Sequence, residues 1–201
     1  MKTCEKTKIA VIGLGYVGLP LSLEFSDHFA VVGFDISEKR IKELNNNTDI
    51  TKETSQTEIQ GRIKYSNDGE NGVFFTNILK SISDCSVFII TVPSPIDHLK
   101  NPDLSQLIAA SEMVGSVLDK GDVVIYESTT FPGCTEEICV PALEKASGLV
   151  YNQDFFVGYS PERINPGDKK NTLPSIIKVT SGSNEETAEF ADNLYARIIS
   201  A

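Results

Sequence analysis

Residues 8–35 read KIAVIGLGYVGLPLSLEFSDHFAVVGFD, and their pattern decides the fold. An apolar strand over 9–12 runs into Gly13-x-Gly15-x-x-Gly18. An apolar helix follows, with Pro20 in its first turn, where a missing N–H costs little. A second strand over 31–34 ends in Asp35. A strand, glycine turn, helix and strand, with an acid at the tip of the second strand, is the arrangement that binds the diphosphate of a dinucleotide.

The spacing has a physical logic. Gly13 lets the chain turn sharply after the strand, Gly15 brings no Cβ between backbone amides and a phosphate, and Gly18 lets the helix pack closely on the sheet. The free N–H groups and positive dipole end of that helix face the anion. Asp35 stands 17 residues after Gly18. A carboxylate there accepts hydrogen bonds from an adenosine ribose and repels a 2′-phosphate, which favours NAD over NADP. Arg40 could hold a 2′-phosphate, but it lies one helical turn beyond Ser37 and is read as stacking on adenine or touching the diphosphate. A lone GxGxxG can be a plain tight turn, and a Rossmann-like domain can bind another adenosine ligand such as S-adenosylmethionine.

The chain of 201 residues suffices for one full domain with a substantial core. It contains no run of about 18 apolar residues, so no transmembrane helix is expected. The start, MKTCEKTK, is too short and polar for a signal peptide, and a cytoplasmic protein is expected. A net charge of −10 argues against nucleic acid or an anionic membrane surface as partner. Cys4, Cys85, Cys134 and Cys139 form no CxxC pair and are expected to be reduced. Neither His28 nor His98 has ligand-like spacing with a cysteine, so no metal site is expected.

Further along, Ser37 reads as the N-cap of a helix over 38–45, with Ile36 and Ile41 as a hydrophobic staple. The polar stretch 45–72 holds a short helix over 58–63. A strand over 73–76 and a short helix over 77–83 lead to the apolar run 86–92, which reads as a strand buried on both faces. Leu104, Leu107, Ile108, Ser111, Val114 and Leu118 fall at helical spacing over 102–118. A strand over 123–126 precedes a helical stretch over 133–146 that Pro141 kinks or breaks. Strands over 155–159 and 176–180 and a last helix capped by Asn184 complete the pattern.

Alternating β and α elements imply an α/β, Rossmann-type, doubly wound and mainly parallel sheet with helices on both faces. Ligands bind such sheets beyond the carboxyl ends of the strands, where strand order reverses. Residues 13–18, Asp35, 91–95, 127–130 and 160–165 are therefore expected to converge.

In order, GLGYVGLP, TVPSPI, YESTTFPG and GYSPERINPGD resemble the UDP-glucose/GDP-mannose dehydrogenase family across essentially the whole chain. SPERINPGD is most similar to the branch that oxidises UDP-N-acetylhexosamines for surface polysaccharides. The resemblance implies an NAD-dependent oxidoreductase acting twice at C6 of a UDP-sugar, through a cysteine thiohemiacetal and thioester. It implies that residues 1–201 are the NAD-binding domain of a longer enzyme. The cofactor set is then Gly13, Leu14, Gly15, Tyr16, Val17, Gly18, Asp35, Arg40, Thr91, Pro93 and Thr129. Tyr16 reads equally as stacking near the cofactor or packing on the sheet.

Thr129 matches a threonine that positions water near the reacting carbon. Glu162 matches a carboxylate assigned to water activation or substrate positioning, a sensible role for thioester hydrolysis. Arg163, Ile164 and Asn165 match a loop on the substrate side. The UDP-glucose branch has a second glutamate where this chain has Pro166, which counts against UDP-glucose itself. The family's nucleophilic cysteine and its catalytic lysine and asparagine belong to segments not included in this sequence. So does the helix that makes the homo-oligomer, and the chain alone is expected to be inactive. Cys134, at a helix start, is the tempting substitute nucleophile, but the resemblance places the thiol elsewhere. A stand-alone NAD-binding regulatory module, a dehydrogenase of UDP-glucose, GDP-mannose or UDP-N-acetylmannosamine, and a hydroxyacid-type dehydrogenase are the competing readings.

Overall fold

The computed structural model describes residues 7–96, 98, 100–163 and 173–201. Strand β1 (Lys8–Ile12) lies centrally, between β2 (Ala30–Phe34) and β5 (Val87–Ile90), and is parallel to both. On one side the sheet continues from β2 through β4 (Gly72–Thr76) to β3 (Ile63–Lys64). On the other it continues through β6 (Val123–Tyr126) and β7 (Phe156–Tyr159) to β8 (Ser181–Gly182). Only the β7–β8 pairing is antiparallel among these eight strands. The chain builds one side of the sheet from β2, β3 and β4 and then crosses to β5 on the other. Strand order therefore reverses beside β1, and a crevice opens beyond the carboxyl ends of β1 and β5.

Side chains alternate across the pleat, so one strand feeds two cores. Ile9 and Val11 of β1, Val87 and Ile89 of β5, and Val123 and Ile125 of β6 face one side. There they meet α1 (Gly18–Ser26), α2 (Glu38–Asn45), α3 (Gln56–Arg62) and α6 (Glu185–Tyr195). Ala10, Ile12, Phe88, Ile90, Val124 and Tyr126 face the other side, against α4 (Ser105–Gly115) and α5 (Val140–Ser147). Burying each large apolar side chain contributes about 1.5–3 kcal/mol, and both faces are filled this way.

Local chemistry explains most boundaries. Ser37 accepts the Arg40 N–H, and Asn184 accepts the Thr187 N–H, so both expected caps form. Ser55 and Glu58 make a reciprocal capping box at α3. Before Pro141 the chain winds as a π turn over Thr135–Cys139, and the Val140 N–H reaches back to Thr135 O. The proline lacks a donor of its own, and the wider turn absorbs the register change.

Several expectations fail. The strand over 176–180 does not form. A short 3-10 turn at Leu173–Ser175 and the two-residue β8 take its place, and Ile177 is 81% exposed. Helix α4 begins at Ser105 rather than 102, because Asp103 accepts the Ser105 N–H and caps the turn before it. Ile36 is 84% exposed and staples nothing. Strand β3 was not anticipated; at two residues on a sheet edge it carries almost no pattern of its own.

Candidate functional site

Gly13 holds φ +95°, a backbone region closed to most side chains, and its N–H donates to Phe34 O at 2.9 Å. That bond ties the turn after β1 to the end of β2. Thr91, just past β5, donates its hydroxyl to Gly13 O at 2.6 Å and to Ile12 O at 3.0 Å. A Cβ on Gly18 would stand 1.9 Å from Gly13 O and 2.4 Å from Thr91 Oγ1. The glycine is therefore what allows helix, turn and threonine to meet. A Cβ on Gly15, by contrast, would meet nothing within 4 Å, because that glycine faces open space.

The loop ends in the first turn of α1. Val17 supplies no side-chain cap, and no acid occupies the first turn. The N–H groups of Gly15, Tyr16 and Val17 have no acceptor among the described residues. An open glycine, uncapped amides and a helix dipole make an anion cradle. These features fit the diphosphate of a dinucleotide.

Asp35 sits across from this cradle. Its Oδ2 accepts the Leu14 N–H at 2.9 Å and its Oδ1 accepts the Ser37 N–H at 2.8 Å. The carboxylate is thus aimed by backbone donors on both sides. It lines two adjoining cavities. One, of about 340 Å³, is an apolar slot bounded by Phe34, Ile36, Val92, Ala109, Ala110 and Met113, of a size and polarity suited to a flat heteroaromatic base. The other, of about 460 Å³, runs from the glycine loop past Thr91 and Pro93 to Glu127, Ser128, Thr129 and Glu162.

The structure thus brings together most of the expected convergent segments. Gly13, Leu14, Gly15, Tyr16, Val17, Asp35, Thr91, Pro93, Thr129 and Glu162 line one cleft, with Gly18 packed just behind it. Arg163 is exposed, and its N–H donates to Glu162 Oε1 at 2.5 Å. Ile164 and Asn165, expected on the substrate side, lie outside the described residues, as does Pro166.

Arg40 is placed otherwise than expected. It is buried, its Nε–H donates to Leu14 O at 2.8 Å, and its Nη2 lies 2.8 Å from Asp49 Oδ1. Asp49 in turn accepts N–H groups from Thr51, Glu53 and Thr54. Those donors and Arg40 outweigh its burial and hold its carboxyl below the ordinary range. Arg40 therefore braces the glycine loop from behind. Stacking on adenine would require breaking this buried pair.

Three further residues gather at the far end. Glu127, immediately after β6, is fully buried, and its carboxylate receives the Lys178 ammonium on one oxygen and the Tyr195 hydroxyl on the other. Burial pushes the Glu127 carboxyl up to about 7; Lys178 and Tyr195 pull it down, and Glu162 adds to the rise. Burial and Glu127 together push the Tyr195 phenol well up. Sequence reading placed Glu127 in a convergent segment without singling it out, and missed Lys178 and Tyr195. The available signal was an acid directly after a four-residue apolar strand.

Cys85, Cys134 and Cys139 are all buried, and none lines the cleft. Burial pushes the Cys134 thiol up and Cys139 up to about 12, so both are poor nucleophiles.

Comparison with known proteins decides the lineage. The profile of the UDP-glucose/GDP-mannose dehydrogenase family, NAD binding domain, matches residues 7–199. The chain belongs to this family. It is 54% identical over 197 residues to a UDP-N-acetyl-D-glucosamine 6-dehydrogenase of Salmonella typhi, covering 98% of this chain and 44% of that protein. It is 56% identical over 194 residues to the enzyme of the same name from Pseudomonas aeruginosa, covering 96% and 44%. The solved UDP-D-ManNAc dehydrogenase from Pyrococcus horikoshii superposes with TM-score 0.83 at 32% identity, over 97% of this chain and 46% of that one. The chain thus spans less than half the length of the relatives it matches, in the part that is the family's NAD-binding domain. No helix among the described residues is long and apolar enough to cross a membrane.

Proposed function

We propose that this chain is the cofactor-holding part of a UDP-N-acetylhexosamine 6-dehydrogenase, which oxidises the sugar's C6 alcohol to the acid in two NAD-dependent steps. The observation that carries this reading is the single cleft in which the glycine loop and Asp35 stand at one end and Thr129 and Glu162 at the other. The high identity to two UDP-N-acetyl-D-glucosamine 6-dehydrogenases supports the N-acetylhexosamine over other sugars. The chain is also 48% identical over 194 residues to Protein CapL of Staphylococcus aureus, and a product destined for surface polysaccharide is part of the proposal.

NAD, when bound, supplies the hydride acceptor for each oxidation. The chain's own residues do the rest of the work on this side. The Gly15–Val17 amides and the α1 dipole hold the diphosphate, and Asp35 accepts from the ribose. The apolar slot takes the adenine. Thr129 and Glu162 face the remaining space, where they orient a water or the sugar. Arg163, next to Glu162, is assigned to the sugar, and the family resemblance alone adds Ile164 and Asn165 to that assignment. The thiol step falls to residues other than the described cysteines, since those are buried away from the cleft. Homo-oligomer formation and a cytoplasmic setting accompany this proposal.

A panel of UDP- and GDP-sugars, assayed with the full-length gene product by NADH absorbance, tests it. UDP-N-acetylglucosamine or an epimer should give about two NADH per sugar, as the two steps require. Turnover of GDP-mannose or UDP-glucose alone would overturn the substrate assignment. The 201-residue chain by itself should give no steady NADH with any of them.

A further inference from the structure

The segment 176–180 is inside out by ordinary rules. Ile177 is 81% exposed and Val179 47% exposed, while the Lys178 side chain between them is 2% exposed. A sequence selected for stability alone would bury the two β-branched residues and leave the lysine in water. Burying an ion pair is seldom a stability device, because desolvating both charges costs several kcal/mol and an apolar replacement is often as stable. Local rules broken in this way point to a role at a site.

The contacts of Lys178 say which site. Its ammonium reaches the Glu127 carboxylate at the end of β6, and Ser160 O and Pro161 O beyond β7, at 3.4 and 3.3 Å. The Glu127 carbonyl accepts the Glu162 N–H at 3.3 Å, and the next residue, Ser128, donates to Val92 O at 2.6 Å. One buried cation thus fastens two strand ends, which are themselves fastened to a third. The Tyr195 hydroxyl holds the other oxygen of Glu127, and its ring lies 5.4 Å from the ammonium. The two segments joined are those that carry Thr129 and Glu162 into the cleft. With the adenine slot and Asp35 at one end, and the diphosphate cradle in the middle, this far end would hold the nicotinamide of a bound NAD.

We propose that Lys178, acting through Glu127, is a positioning residue that sets the nicotinamide end of the cleft by locking the β6 and β7 strand ends in register. The proposal rests on the NAD-binding reading of the same cleft. Lys178 is not among the residues that line the cleft; it fixes the frame of those that are.

The test compares NAD+ with ADP-ribose, which has every part of NAD+ except the nicotinamide. Calorimetry on the 201-residue chain measures both ligands for wild type and for the Glu127→Gln/Lys178→Met double variant, which removes both charges together and so leaves neither unpaired. NAD+ affinity should fall about tenfold while ADP-ribose affinity stays within about twofold of wild type. Equal loss of both ligands would reduce Lys178 to a general structural role and overturn the proposal, and so would no loss of either. Should melting curves show the double variant unfolded, Tyr195→Phe removes a single hydroxyl from Glu127 and should give the same split in smaller measure; no split there would also overturn it. If wild type binds neither ligand, it is the NAD reading that fails, a result distinct from all of these.

Discussion

The two ends of the cleft are built on opposite principles. At the glycine-loop end, polar groups are left open: uncapped amides, a bare Gly15, and a carboxylate aimed by its neighbours. At the other end, polar groups are closed upon one another, with Glu127, Lys178 and Tyr195 satisfied before any ligand arrives. The amides that the open end offers come from three consecutive residues, Gly15 to Val17. The closed end joins positions 51 and 68 residues apart. An open end can solvate an anion directly, whereas a closed end can only hold a shape. Binding energy and geometry are thus supplied from different places in one cleft.

Breaking the closed end should cost the most. Lys178→Met alone leaves the Glu127 carboxyl buried without its cation, and should destabilise the fold by about 3–5 kcal/mol in denaturant titrations. The double variant described above should recover most of that loss. A single variant as stable as wild type would show that the pair is not held as described.

At the open end, Gly18→Val drives a side chain against Gly13 O and Thr91. Calorimetry should find no NAD+ binding, and chemical unfolding a loss of about 3 kcal/mol. Retained binding would mean that the turn is not packed as closely as 1.9 Å implies.

The closed end should also leave a mark on the pH dependence of stability. Glu127 is raised from an ordinary 4.5 to about 7 in the fold. Its contribution is therefore fully present below pH 4.5 and is lost as pH rises through about 7. The double variant lacks this group, so its stability relative to wild type should rise steadily across that window. A flat difference would mean that Glu127 stays ionised throughout. As the smallest effect, Lys42→Ala removes an exposed partner of Glu38 and should leave the melting midpoint unchanged.

What could be read from the sequence follows the same division. The boundaries of α2 and β6 and the caps at Ser37 and Asn184 depend on residues within a few positions of one another, and the glycine spacing is local even though Phe34 and Thr91 tie the turn down. Propensity, spacing and capping chemistry suffice for such features. The strand expected over 176–180 failed because its alternation is genuine but faces the wrong way, the lysine inward and the isoleucine outward. Arg40 looked available to a ligand because nothing nearby in sequence neutralises it. Its partner Asp49 lies in a polar stretch that reads as exposed connection, yet that side chain is fully buried. Glu127 was visible as an acid after a strand, but its two partners arrive from β8's approach and from α6. Long-range charge pairing of this kind has no period or motif, and only the fold reveals it.

The central claim is that this cleft is an NAD site whose selectivity comes from Asp35. Calorimetric titration of the chain with NAD+ and NADP+ under identical salt tests it most directly. The account predicts that NAD+ binds and NADP+ binds at least about tenfold more weakly, with Asp35→Ala narrowing the gap. NADP+ binding as tightly as NAD+, or more tightly, would contradict it.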